Sequence, residues 1–215
     1  MPLGVARRRT YRAPRRLQQA ARTRQSLILA ARRLFVEKGY GATSVADIAA
    51  EAHVNVATLY AAVGRKSVLK RAVIEGALTG SDDPLPAAQA DYVDRIFESR
   101  GARQKLRIYA EAAVAIQQRL APVLLCLWEA AKTDAECRTL WSEIAERRSR
   151  NMREFAAELR RTGAVRADLT DSEVADIIWS LNGPEHYALL VGERHWPADR
   201  FASWLAEAWS RLLLK

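Results

Sequence analysis

An all-α fold is predicted by three features of the 215-residue chain. Ala, Leu, Arg and Glu dominate long segments that Gly and Pro punctuate. No β-branched or aromatic run alternates with period two, and apolar residues instead recur every three to four positions. Hydrophobic residues are 49% and charged residues 27%, the composition of an ordinary packed protein rather than a disordered or collagen-like one.

The elements follow in order. Leu27, Ala31, Leu34 and Phe35 form one apolar stripe on a first helix that stops at Gly39. Val45, Ile48, Ala49 and Ala52 repeat the pattern over two turns, with Ser44 as N-cap and Asp47 three residues on to answer it. A third stripe, Val56, Leu59, Tyr60 and Val63, follows Asn55, another strong N-cap residue. Helices this short need one another to bury their stripes. Two of them, joined by about three residues and packed on a longer one, give the arithmetic of a helix-turn-helix module.

Further along, Leu106, Tyr109, Ala113, Ile116 and Leu120 form a stripe expected to end before Pro122. The next helix, Val123 to Ala131, is apolar nearly all round and is expected inside a bundle. Trp141, Ile144, Ala145, Met152, Phe155 and Leu159 define a long helix closed near Gly163, with Val165 packing back. Thr170 and Glu173 make a capping box for Val174, Ile177, Ile178 and Leu181. The last helix follows Pro197 and carries Phe201, Trp204, Leu205, Ala208, Leu212 and Leu213.

The net charge of +9 is uneven. Residues 1–33 hold ten arginines and no acid, whereas the rest of the chain sums to −1. A basic arm on a nearly neutral body is the footprint of contact with a polyanion at one end. A solvated tail or a transit peptide is the plain alternative. The longest apolar run, Val123 to Trp128, is far short of a membrane span, and the nearest apolar stretch to the N-terminus, Leu27 to Ala31, runs straight into Arg32 and Arg33. Two cysteines suggest a reducing, cytoplasmic setting; Cys126 is expected as an inert core thiol, and Cys137 would need exposure to act in redox chemistry. The three histidines are too scattered for a metal site, and no cofactor is expected. No Ser/His/Asp, Cys/His, paired-carboxylate or phosphate-cradling glycine arrangement points to an enzyme, and Asp82 and Asp83 read as a solvated linker.

Residues 24–72 carry an ordered set of motifs: LFVEKGY ending the first helix, TSVADIA through the second, VNVATLY into the third and GRKSVL opening a fourth. This stretch resembles the DNA-binding domain of the TetR family of transcriptional regulators. The charge distribution sets residues 1–20 apart as a basic flexible arm, and the resemblance implies 21–74 as the helix-turn-helix domain and 75–215 as a helical ligand-binding and dimerisation domain. It places the third helix, about 54–63, in the major groove, with Ser44, Val45, Asn55, Val56, Ala57, Thr58, Tyr60 and Lys66 at the DNA. Ser44, Tyr60 and Lys66 are implied as phosphate contacts. It further implies a homodimer on a palindromic double-stranded DNA operator, with helices at about 171–182 and 198–214 pairing with their symmetry mates. A small-molecule effector pocket in the bundle is implied as well, for which Tyr109, Trp128, Trp179, Asn182 and His186 are the candidates. The function expected is a ligand-responsive repressor; a sequence-nonspecific DNA-binding protein acting through its arm is the alternative.

Two departures stand out. Val56, Ala57, Ala61 and Ala62 cannot hydrogen-bond to bases, leaving Asn55 and Thr58 as the polar groups of the reading helix. The arm is expected to supply the missing affinity by lying in a neighbouring minor groove. His53 stands where the family commonly has glycine, and a left-handed backbone is expected there.

Overall fold

A computed structural model of the chain describes residues 12–79 and 91–215. Residues 1–11 of the expected arm and the linker containing Asp82 and Asp83 lie outside the described residues. All regular structure within them is helical, apart from one isolated antiparallel bridge between Val165 and Leu214. The chain divides into two compact units, one ending at Val73 and the other beginning at Ile74.

The first unit is built on α1 (Arg12–Lys38), α2 (Val45–Glu51) and α3 (Val56–Val63), followed by α4, which spans Lys66–Thr79. Leu27, Ala31, Leu34 and Phe35 are buried with Ile48, Ala49, Leu59 and Val63, so each short helix is completed by its neighbours. Gly39 ends α1 at a positive φ of 84°, and the buried Thr43 hydroxyl donates to the carbonyls of Leu34 and Gly39, holding the chain as it turns into α2. Two expectations are corrected. Helix α1 begins at Arg12, so residues 12–20 of the expected flexible arm are helical. Only Leu59 and Val63 of the third stripe are buried, because an eight-residue helix offers one narrow inward face and Val56 and Tyr60 fall outside it.

The second unit holds α5 (Asp91–Glu98), α6 (Ala102–Ala131), α7 (Ala135–Arg160), α8 (Asp171–Leu181), the one-turn α9 (Pro184–Tyr187), a π-helical stretch over Ala188–Glu193, and α10 (Ala198–Leu213). Helix α6 packs against α5, α7 and α10, and α7 against α8, around a core that includes Leu106, Tyr109, Phe155, Leu159, Ile178, Phe201, Leu205 and Trp209. The capping box at Thr170 and Glu173 forms as expected, and Gly163 follows α7 with φ 72°. Val165 is buried, and backbone bonds from Arg166 to Leu213 and from Lys215 to Ala164 pin the chain end beside it.

The expected break at Pro122 does not occur. The proline sits exposed on the solvent side of one continuous 30-residue helix. Its missing N–H frees only the carbonyl four residues earlier, at Gln118, which is also exposed and accessible to water. Helix α6 is thereby long and apolar enough to cross a membrane, but half of its most apolar window is buried, and it carries the buried polar residues Lys105 and Gln117. Its single register also corrects two further expectations. The 123–131 segment is not buried all round: Trp128 is 43% exposed and Cys126 intermediate, whereas Cys137 is fully buried.

Candidate nucleic-acid interface

The turn between α2 and α3 is fixed by backbone geometry. His53 donates its N–H to Ala50 and Val54 to Ala49, the paired bonds of a Schellman ending, with His53 left-handed at φ 55°. That conformation costs a non-glycine residue about 1–2 kcal/mol, partly offset by the 0.5–1 kcal/mol that glycine loses in backbone entropy. His53→Gly is therefore expected to stabilise the first unit by about 0.5–1 kcal/mol, read as a rise of a few degrees in its thermal midpoint. An unchanged or lower midpoint would contradict this account of the turn.

Ser44 caps α2: its Oγ accepts from the Asp47 N–H at 3.0 Å, and the Asp47 carboxylate accepts from the Ser44 N–H at 2.8 Å. The hydroxyl also donates to that carboxylate at 2.7 Å. Hydrogen bonding from Ser44 holds Asp47 below the usual carboxylate range. Asn55 caps α3, its Oδ1 accepting from the Thr58 N–H at 2.7 Å. The cap uses only the oxygen and leaves the Asn55 amide N–H groups for another acceptor. Val56, Ala57 and Tyr60 are exposed beside it, with Tyr60 at 51%, so its ring is not core. Thr58 and Val45 are intermediate.

Lys66 opens α4, and its ammonium donates to the Tyr40 carbonyl at 2.6 Å while lying 4.1 Å from the Tyr40 ring centroid. The Lys70 ammonium lies 4.5 Å from the same centroid. Tyr40, at the end of the KGY motif, therefore gathers two cations beside the helix-turn-helix. Lys70 is buried, so it braces Tyr40 from within the unit rather than facing DNA, and its i+4 spacing from Lys66 was the sequence signal for this pairing. The exposed surface at α3 offers the Asn55 amide, the Thr58 and Tyr60 hydroxyls and small apolar side chains, flanked by the part-exposed Lys66 and two capped helix N-termini. This is a surface suited to phosphate contact and sparse base readout.

In the second unit the effector candidates separate. The Asn182 Nδ2 donates to the Tyr109 hydroxyl at 3.0 Å, and that hydroxyl donates to Met152 Sδ at 3.3 Å. Gln117 Nε2 and Arg148 Nη2 both donate to the Asn182 carbonyl, each at 2.8 Å. The Arg148 guanidinium lies 5.2 Å from the Trp179 ring centroid. Burial lowers the Arg148 pKa and raises that of Tyr109. Tyr109, Asn182 and Trp179 thus belong to one polar junction, to which sequence reasoning failed to add Gln117 and Arg148. Trp128 does not join it, being exposed on α6 with Lys132 over its ring, and His186, half-buried on α9, makes no hydrogen bond to the junction among the described residues. The buried Gln117 Oε1 and Trp179 Nε1 have no hydrogen-bond partner among the described residues.

The TetR_N family of bacterial regulatory proteins matches residues 27–69, which cover the buried part of α1, all of α2 and α3, and the start of α4. No curated protein sequence matches the chain. Several solved structures share the fold. NalD from Pseudomonas aeruginosa, described as the secondary repressor of the MexAB-OprM multidrug efflux pump, superposes with a TM-score of 0.71 at 21% identity, over 91% of this chain and 98% of NalD. A protein from Mesorhizobium loti described as a TetR-family transcriptional regulator gives 0.68 at 19%, over 92% and 99%. A regulator from Saccharomonospora viridis, solved in complex with choline, gives 0.67 at 18%, over 91% and 99%. With an exposed reading helix ordered between two capped turns, residues 27–69 form a helix-turn-helix segment that matches the TetR_N family of bacterial regulatory proteins, and the chain as a whole shares the fold of TetR-family transcriptional regulators.

Proposed function

We propose that the chain is a repressor that binds a palindromic operator as a homodimer in the cytoplasm and releases it when a small-molecule effector enters the helical bundle. The observation that carries this reading is the exposed face of α3, where Asn55, Val56, Ala57 and Tyr60 stand clear of the core that Leu59 and Val63 complete. Ser44, Val45, Thr58 and Lys66 flank that face as backbone contacts. One reading helix covers half a site, so two copies must meet successive major grooves about 34 Å apart. Helix α10 supports a second copy: Trp204 and Ala208 are half-buried and Leu212 is 44% exposed along i, i+4 and i+8, beside the inward face of Phe201, Leu205, Trp209 and Leu213.

The effector is assigned to the junction of Tyr109, Asn182 and Trp179 with Gln117 and Arg148. Buried polar atoms without partners are rare, and Gln117 Oε1 and Trp179 Nε1 would both be satisfied by a ligand carrying a donor and an acceptor. Trp128 and His186, which lie outside that junction, stand as secondary candidates. NalD is described as a repressor and the Saccharomonospora protein holds choline, so both halves of the proposal have precedent on this fold. Effector binding would act by population shift, with a coupling energy of about 1–3 kcal/mol.

The test is fluorescence anisotropy on the DNA flanking the chain's own coding sequence against random DNA, from about 50 to 200 mM salt. A preference of about a thousandfold or more is expected, together with a compound that lowers affinity for the wild type but not for Arg148→Ala. Equal binding to both duplexes that vanishes with salt would favour the nonspecific alternative, which the exposed arginines of α1 support.

A further inference from the structure

Helix α1 is longer than its burial requires. It runs for 27 residues from Arg12, yet residues 16–26 are exposed apart from the intermediate Thr23, and burial sets in only at Leu27 and Ile28. Isolated helices of about 15 residues are marginal in water, so the projecting half gains nothing from a core and needs a partner to order it. Its chemistry names one. The chain contains no acidic residue before Glu37, and the exposed Arg16, Arg22 and Arg24 form no ion pair among the described residues. The contrast lies on the same helix, where Arg33 pairs with Glu51 of α2.

The position of this projection is set by a cleft of about 340 Å³. Ser26, Leu29, Ala30 and Arg33 of α1 line one side, and Glu51, Ala52 and His53 line the other. Ala52 and His53 form the turn that leads into the capped N-terminus of α3, so the last exposed turn of α1 lies beside the DNA-reading end of the domain. Residues 12–26 rise about 21 Å as a helix, the length of roughly six phosphates along one DNA strand.

We propose that residues 12–24 form a helical strut which lies on the phosphate backbone of the DNA flanking each operator half-site, rather than a flexible arm in a minor groove. The inference rests on the DNA-regulator reading and adds a second contact, outside the sequence that α3 reads. The strut carries affinity and salt dependence, while α3 carries sequence preference.

The experiment compares two duplexes: the segment that the full-length protein protects in its own upstream DNA, and the same segment extended by eight arbitrary base pairs on each side. The wild type is expected to bind the extended duplex at least tenfold more tightly at about 100 mM salt. Arg16→Gln/Arg22→Gln/Arg24→Gln should abolish that gain and flatten the logarithmic salt slope by about 2.7 per protomer, at about 0.9 per phosphate. Ala20→Pro keeps every charge but breaks the helix midway, and should also abolish the gain. A triple variant with an unchanged slope overturns the proposal. So does an Ala20→Pro protein that keeps the full gain, since a flexible arm tolerates a proline. Preference for the protected segment over random DNA should survive in both variants; its absence in the wild type would instead sink the regulator reading.

Discussion

Glu158→Ala is expected to destabilise the helical unit by about 3–5 kcal/mol, seen as a large fall in the urea midpoint at neutral pH. The Lys105 side chain is 3% exposed, and its ammonium donates to Glu158 Oε1 at 2.8 Å and to the Ile96 carbonyl at 2.5 Å. One cation thus ties α7 to α6 and closes the last turn of α5. Without the carboxylate it stays buried with a single carbonyl, and its desolvation cost goes uncompensated. The second partner of Glu158, Arg161, is mostly exposed, so its loss adds little. The pair is a structural requirement only while one half is present. Lys105→Met/Glu158→Leu should therefore recover most of the stability that Glu158→Ala loses, because well-packed apolar replacements of a buried pair are often neutral. A single-variant loss below about 1 kcal/mol, or a double variant no better than the single, would show that water reaches the ammonium.

Legibility in the sequence followed locality. The capping boxes at Ser44 and Thr170, the Asn55 cap and the left-handed His53 were all readable, because each depends on residues within three or four positions. Pro122 misled for the same reason: local propensity argues for a break, but the surrounding register buries Leu120, Val123, Leu124 and Leu127 on one continuous face, and the proline falls on the wet side. The site was less legible. Asn55, Val56, Ala57 and Tyr60 were placed by motif, yet whether Tyr60 served core or surface depended on which arc of α3 faces α1, which period alone does not set. Gln117 and Arg148 escaped because each is polar on a mainly helical pattern, and their common target, the Asn182 carbonyl, lies 65 and 34 residues away. Lys105 and Glu158 are 53 residues apart and were hidden likewise.

Ala57→Glu should separate folding from DNA binding by moving them in opposite directions. Ala57 is exposed at the second position of α3, just after the Asn55 cap. A carboxylate there sits at the positive end of the helix dipole and is expected to stabilise the helix by about 0.3–1 kcal/mol. The same carboxylate would project from the reading end into the phosphate-lined groove, where like charges in close contact cost several kcal/mol. Specific affinity is therefore expected to fall at least a hundredfold while the thermal midpoint holds or rises. The variant leaves the arginines of α1 untouched, so binding to random DNA should fall much less, and the ratio of specific to random affinity should collapse. An operator affinity within about threefold of wild type would mean that α3 does not face the bases. The arginines of α1 would then be the whole interface, and sequence preference would have to come from DNA shape alone.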